Sequence, residues 1–127
     1  MISHNTELIK GEIADYRLTG GILYSYSKSP KRTIKNITEN IALIKKITAN
    51  KSIPLLIYLN NPSVEDNETH EFFKEQLPIP YTAIALVSKL WFSKLIMNML
   101  FKLKTQPIPM RYFSDDEKAR KWLTQYI

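Results

Sequence analysis

The sequence predicts an α/β domain in which a mixed, largely parallel sheet packs with four helices in the order ββαβαβαβα. Three observations carry the prediction. Residues 53–59 and 81–87 are continuous apolar runs of strand length, as expected of strands covered on both faces. Residues 33–50 repeat isoleucine at spacings of three and four, the period of an amphipathic helix. Helix-start residues stand at Thr33, Ser63 and Ser114.

Taken in order, residues 7–18 alternate loosely between polar and apolar, Thr19-Gly20-Gly21 is a turn signal, and residues 22–27 place Ile22, Tyr24 and Tyr26 on one face. This predicts a β-hairpin. Thr33 then caps a helix to about Asn50, with Ile34, Ile37, Ile41, Ile44 and Ile47 inward and Thr38 or Ala42 flanking. The strand at 53–59 follows and ends at Asn60-Asn61-Pro62. Ser63 and Asp66 have capping-box spacing and open a helix to about Leu77, with Val64 and Phe72 or Phe73 inward, stopped by Pro78 and Pro80. The strand at 81–87 leads into a third helix over 89–104. After Pro107 and Pro109 comes a short strand at 110–113, placed by its prolines at an edge or a strand start. The capping box Ser114 to Glu117 opens a last helix that turns Ala119, Trp122, Leu123 and Tyr126 inward.

The 127 residues are enough for one core, so residues 1–127 are read as a single domain. With 44% hydrophobic and 24% charged residues the composition is that of a globular chain. No cysteine is present, which excludes disulfides, thiolate catalysis and thiolate metal centres. The first residues lack an export signal, and the longest apolar stretch, 90–103, is broken by Ser93, Lys94, Asn98 and Lys102 and is too short to span a bilayer. These observations point to the cytoplasm.

The net charge of +6 is unevenly spread. Residues 61–77 hold five acids, Glu65, Asp66, Glu68, Glu71 and Glu75, against Lys74, while the flanking segments are basic. Such a run is either a solvated helix face or a recognition surface.

Two stretches carry a family resemblance: residues 53–73, a buried strand running through Asn-Asn-Pro-Ser-Val-Glu-Asp into a helix, and residues 109–123, Pro-Met-Arg-Tyr-Phe-Ser-Asp-Asp-Glu-Lys-Ala-Arg-Lys-Trp-Leu. Over its whole length the chain resembles a STAS domain of the SpoIIAA-like superfamily. It is similar in particular to uncharacterised bacterial STAS/SEC14-like proteins, which share this ending and an apolar third helix bearing an asparagine, here Asn98. The resemblance implies a cytoplasmic regulatory module that binds partner proteins, such as anti-sigma factors. In that family a phosphorylated serine in Asp-Ser-Ser-Gly starts the helix after the central strand. The counterpart here is Asp66-Asn67-Glu68-Thr69, which has no hydroxyl at either serine position, so the phosphoserine is not carried over. Glu65, Asp66, Asn67, Glu68 and Thr69 are the partner-binding residues the resemblance implies.

Read for chemistry, the residues supply no catalytic, cofactor or metal site. Asp66 and His70 share a helix face, but two ligands do not hold a metal, and His4 is remote in sequence. One usable histidine, His70, on an acidic helix is thin material for a nucleophilic triad, and Gly11, Gly20 and Gly21 precede no helix directly, as a phosphate loop would require. The basic cluster Lys28, Lys31, Arg32 and Lys35 follows Tyr24 and Tyr26, yet the alternation of the tyrosines is that of a strand, which argues against nucleic acid as the ligand. The third helix carries more apolar residues than one buried stripe requires. Trp91, Phe92, Met97 and Phe101 either lie deep in the core or mark an apolar surface: a homodimer seam, a partner groove or a membrane-facing edge. The leading expectation is therefore a non-catalytic regulatory module that binds a protein. The alternative is a SEC14-like module that binds lipid or a membrane surface through this helix.

Overall fold

Gly20 and Gly21 set the first feature of the fold. Both have positive φ, 61° and 81°, the requirement of a two-residue turn matched to strand twist. They join strand β2 (Ala14–Thr19) to β3 (Ile22–Ser27) as an antiparallel hairpin registered from Thr19 opposite Ile22 to Ala14 opposite Ser27. A Cβ at Gly21 would stand 2.9 Å from Cγ2 of Ile127. Gly21→Ala is thus expected to cost about 1–2 kcal/mol, chiefly from left-handed backbone strain because the isoleucine tip can give way. A melting temperature equal to wild type would refute this.

The computed structural model describes residues 8–28, 33–59, 81–89 and 107–127. Within them six strands form one mixed sheet whose spatial order is the sequence order, β1 to β6. The single strand predicted over 7–18 is two: β1 (Ile9–Lys10) folds back antiparallel on β2, with Ile9 opposite Tyr16. Gly11 makes the bend, its N–H donating to the Ala14 carbonyl at 3.0 Å, and a Cβ there would lie 2.7 Å from that same oxygen. Loose alternation could not reveal a reversal that depends on one close backbone approach.

Thr33 caps helix α1 (Ile34–Ile47) as predicted. Its hydroxyl accepts from the Asn36 N–H while the Asn36 side chain accepts from the Thr33 N–H. The helix ends at Ile47, three residues before the predicted end, because Thr48 closes it and Ala49 and Asn50 take positive φ. Ile37, Ile41 and Ile44 are buried, Ile34 and Ile47 half-buried, and Thr38 and Ala42 exposed. The Tyr16 hydroxyl donates to Asn40 Oδ1 at 2.6 Å, tying α1 to β2.

Strands β4 (Ile53–Tyr58), β5 (Tyr81–Val87) and β6 (Met110–Phe113) extend β3 in parallel. Pro54 has no N–H to give, and the β4–β5 register slips there, between Ile53 and Leu55. Alternate residues of the sheet feed two cores. Leu23, Leu55 and Ile84 are neighbours in register and pack with Ile44 of α1. On the opposite face Leu56, Ala83 and Ala85 pack with Ala119 and Leu123 of the last helix, α2 (Asp116–Leu123). Ala83, Ala85 and Ala119 are fully buried, and their small side chains let the helix lie close to the sheet.

The cap predicted at Ser114 stands one residue later, and the Ser114–Glu117 capping box does not form. Asp115 is the N-cap, accepting from the Glu117 N–H at 3.0 Å. Ala119 and Leu123 face the core as predicted, with Trp122 and Tyr126 half-buried and Tyr126 in a closing 3₁₀ turn, Thr124–Tyr126. The helices predicted over 63–77 and 89–104 lie outside the described residues, apart from Lys89. Two α-helices and six strands, three of the five strand pairs parallel, are what the described residues contain. Among the described residues no helix is long and apolar enough to cross a membrane.

Candidate functional site

Four parallel strands end together, at Ser27, Tyr58, Val87 and Phe113, and α2 starts just beyond the last of them. In open α/β sheets ligands collect at such carboxyl ends, most deeply where the strand order reverses. Here the order runs one way across the sheet, so there is no reversal to open a deep crevice. What results is an open cleft of about 660 Å³ between Tyr58 and Leu59 on one side and Ser114, Asp115 and Asp116 on the other, floored by Val87 and Ser88. Its floor is stitched by main-chain bonds, Leu59 N–H to the Val87 carbonyl at 2.9 Å and Ser88 N–H to the Phe113 carbonyl at 3.2 Å. The Tyr112 hydroxyl adds a bond to the Ser88 carbonyl.

Beside the cleft, on the α2 face, side chains of three strands and the helix form one array. The Tyr58 hydroxyl donates to Asp116 Oδ2 at 2.8 Å, and Arg120 donates to the same oxygen at 3.2 Å from one helical turn away. Tyr26 stacks on Tyr58, with ring centroids 5.1 Å apart and planes within 5°, and Tyr24 stands 6.5 Å away on the same row. The Arg17 guanidinium lies 5.7 Å over the Tyr26 ring and donates to its hydroxyl at 3.3 Å. With Asp115 as cap, Asp116 is the first residue of α2, where its carboxylate also favours the helix dipole while it accepts from Tyr58.

These contacts fix protonation. The Tyr58 hydroxyl bond, followed by Arg120, holds the Asp116 carboxyl below its ordinary range. Burial, then the Asp116 bond, pushes the Tyr58 phenol far above its ordinary range, and burial raises Tyr24. At neutral pH the aspartate is a committed acceptor and the phenol a committed donor. Neither is poised to exchange a proton.

The sequence-predicted partner residues Glu65, Asp66, Asn67, Glu68 and Thr69, and the predicted apolar surface of Trp91, Phe92, Met97 and Phe101, lie outside the described residues, as do His4 and His70. Of the basic cluster, Lys28 is bound to Asp15 and the Gly11 carbonyl, both at 3.1 Å, and Lys35 is exposed on α1. Tyr24 and Tyr26 share a strand face, as their alternation implied, with ring faces turned to each other's row rather than outward. Among the described residues no group of three His, Asp or Glu could hold a metal. Sequence reasoning missed Tyr58, Asp116 and Arg120. The i,i+4 spacing of the last two was visible, whereas their meeting with Tyr58 spans 58 residues of chain.

A family model described as a domain of unknown function, DUF7793, matches residues 16–127. No curated protein matches. Among solved structures, the chain is similar to an uncharacterised protein of the DUF3478 family from Shewanella loihica PV-4, whose 2.25 Å crystal structure has a SpoIIAA-like fold. The likeness has a TM-score of 0.51 at 16% identity and covers 92% of this chain and 90% of that one. At that identity it shows a shared fold.

Proposed function

We infer, starting from the fact that this chain belongs to the DUF7793 family, that it is a non-catalytic, cytoplasmic regulatory module of STAS type that docks a partner protein at the carboxyl edge of its sheet. One observation carries the reading: Tyr58, Asp116 and Arg120 beside the open cleft are bound to one another and hold a fixed shape instead of a reactive group. Rigid, half-exposed tyrosines and arginines are also the residue types that dominate protein-docking surfaces. The acidic residues Glu65, Asp66 and Glu68 follow β4 in sequence and are the residues this reading assigns to the partner.

Affinity capture from a native lysate with wild type and with a Glu65→Lys/Asp66→Lys/Glu68→Lys variant tests this. The variant is expected to lose the proteins that wild type retains. If both retain the same proteins, the acidic residues are not the docking site.

A further inference from the structure

On the α2 face of the sheet the polar tips of Arg17, Tyr26, Tyr58, Asp116, Arg120 and Tyr24 follow one another in a closed circuit. Arg17 of β2 stands opposite Tyr24 of β3 in register and donates diagonally to the Tyr26 hydroxyl at 3.3 Å. Tyr26 is paired with Tyr58 of β4 and stacked on it. Tyr58 donates to Asp116 at 2.8 Å, and Arg120 donates to the same oxygen at 3.2 Å. Arg120 is also within hydrogen-bonding reach of the Tyr24 hydroxyl, which returns the circuit to the residue opposite Arg17. All six side chains are half-buried, and 40% of the Arg120 side chain is exposed. Side chains on a strand stand away from the sheet, so the stacked tyrosines turn their hydroxyl tips, not their ring faces, toward the surface.

Donors outnumber acceptors in this circuit. A guanidinium carries several N–H donors and no acceptor, and a phenol that accepts from an arginine still has its own O–H to give. Tyr58 gives its proton to Asp116. The hydroxyls of Tyr24 and Tyr26 receive from Arg120 and Arg17, and neither has an acceptor for its own proton among the described residues. Asp116, the carboxylate of the circuit, is already held by two donors. The nearby Asp15, opposite Tyr26, is paired with Lys28 at 3.1 Å, so the cations of this face still exceed its carboxylates among the described residues. Two hydroxyls and two guanidiniums set around one spot suit the several oxygens of a tetrahedral dianion, whereas the two oxygens of a planar carboxylate reach fewer of them. The stack and the Asp116 bonds hold the donors in place beforehand, so little ordering accompanies binding.

We propose that Arg17, Tyr24, Tyr26 and Arg120 bind the phosphate group of a small molecule, the two hydroxyls and the two guanidiniums donating to its oxygens. The site lies on the α2 face of β2 and β3 and not in the cleft. It does not rest on the docking of a partner protein there.

The test is a titration of the full chain slightly above neutral pH, where a phosphate monoester is largely a dianion, with sodium phosphate replacing sodium chloride at constant ionic strength. The arginine Nε–H resonances report binding directly. Those of Arg17 and Arg120 are expected to shift saturably, and that of Arg111, on the edge strand β6, to stay in place. A parallel titration with phenyl phosphate separates the two sources of the group: tighter binding than inorganic phosphate assigns the site to an ester, weaker binding to the free ion. Tyr24→Phe/Tyr26→Phe keeps both rings and removes both hydroxyls. It is expected to lower the affinity for phosphate by about tenfold or more, since each bond to a charged group is lost outright. A circular dichroism melt matching wild type shows that this variant folds. No saturable shift in wild type, an equal shift at Arg111, or a folded double variant that binds as tightly as wild type would each overturn the proposal.

Discussion

Above about pH 10 the domain is expected to lose stability steeply, by several kcal/mol over two pH units. Tyr81 is the main source: its phenol is buried in the α1-side core, and burial, with Tyr16 adding to it, holds its proton well beyond the ordinary range. Tyr58 follows, through burial and its bond to Asp116, and burial also raises Tyr24 and Tyr112. The unfolded chain releases these protons near pH 10, whereas the native state keeps them. The unfolded state then binds fewer protons, so stability is intact below that pH and falls as pH rises, at up to about 1.4 kcal/mol per pH unit for each fully protected phenol. Phenolate absorbance and far-ultraviolet circular dichroism are expected to change together in an alkaline titration. Tyr81→Phe moves the midpoint to higher pH. Phenols that all titrate near pH 10 with the circular dichroism unchanged would contradict the claim.

Leu56→Ala is expected to be the most damaging single truncation on the other face, at about 2–5 kcal/mol. Leu56 is fully buried in β4, opposite Tyr24 and Ala85 in register, and packs in the core that α2 closes. Its neighbours there include Ala83, Ala85 and Ala119, none of which can swing into the space left behind. A domain of this size has about 5–15 kcal/mol in total, so the melting temperature falls by about 10 °C or more. A drop of only a degree or two would mean that α2 settles into the gap. Loss of the Tyr58–Asp116 bond, read from a lowered alkaline titration of Tyr58, would accompany such settling.

The strands at 81–87 and 110–113 were legible to the residue, because each is short, rich in apolar or aromatic residues and bounded by proline or by polar residues. The isoleucine stripe placed α1 and its buried face, since a 3.6-residue period leaves little choice of which side is inward. Neither the reversal at Gly11 nor the cap at Asp115 was legible: each turns on a contact within three residues, the Gly11 N–H on the Ala14 carbonyl and the Glu117 N–H on the Asp115 carboxylate, and residue type alone does not choose between neighbouring candidates. Ser114 and Asp115 are both good caps by residue type, and Asp116 falls in the first turn with either. The array beside the cleft was hidden by distance in sequence. Parity put Tyr24 and Tyr26 on one face, but only the parallel pairing of Tyr26 with Tyr58 brings the third ring and its aspartate alongside.

Strand order that matches sequence order also bears on how the chain folds. Every strand pairs with the strand made just before it, so no β pairing waits for a distant segment to arrive or be threaded between two others. The β2–β3 hairpin closes across two residues and supplies the cheapest first contact. β4, β5 and β6 can then add one at a time to a growing edge as they leave the ribosome, which keeps the loop-closure cost of each step low and the order of assembly vectorial.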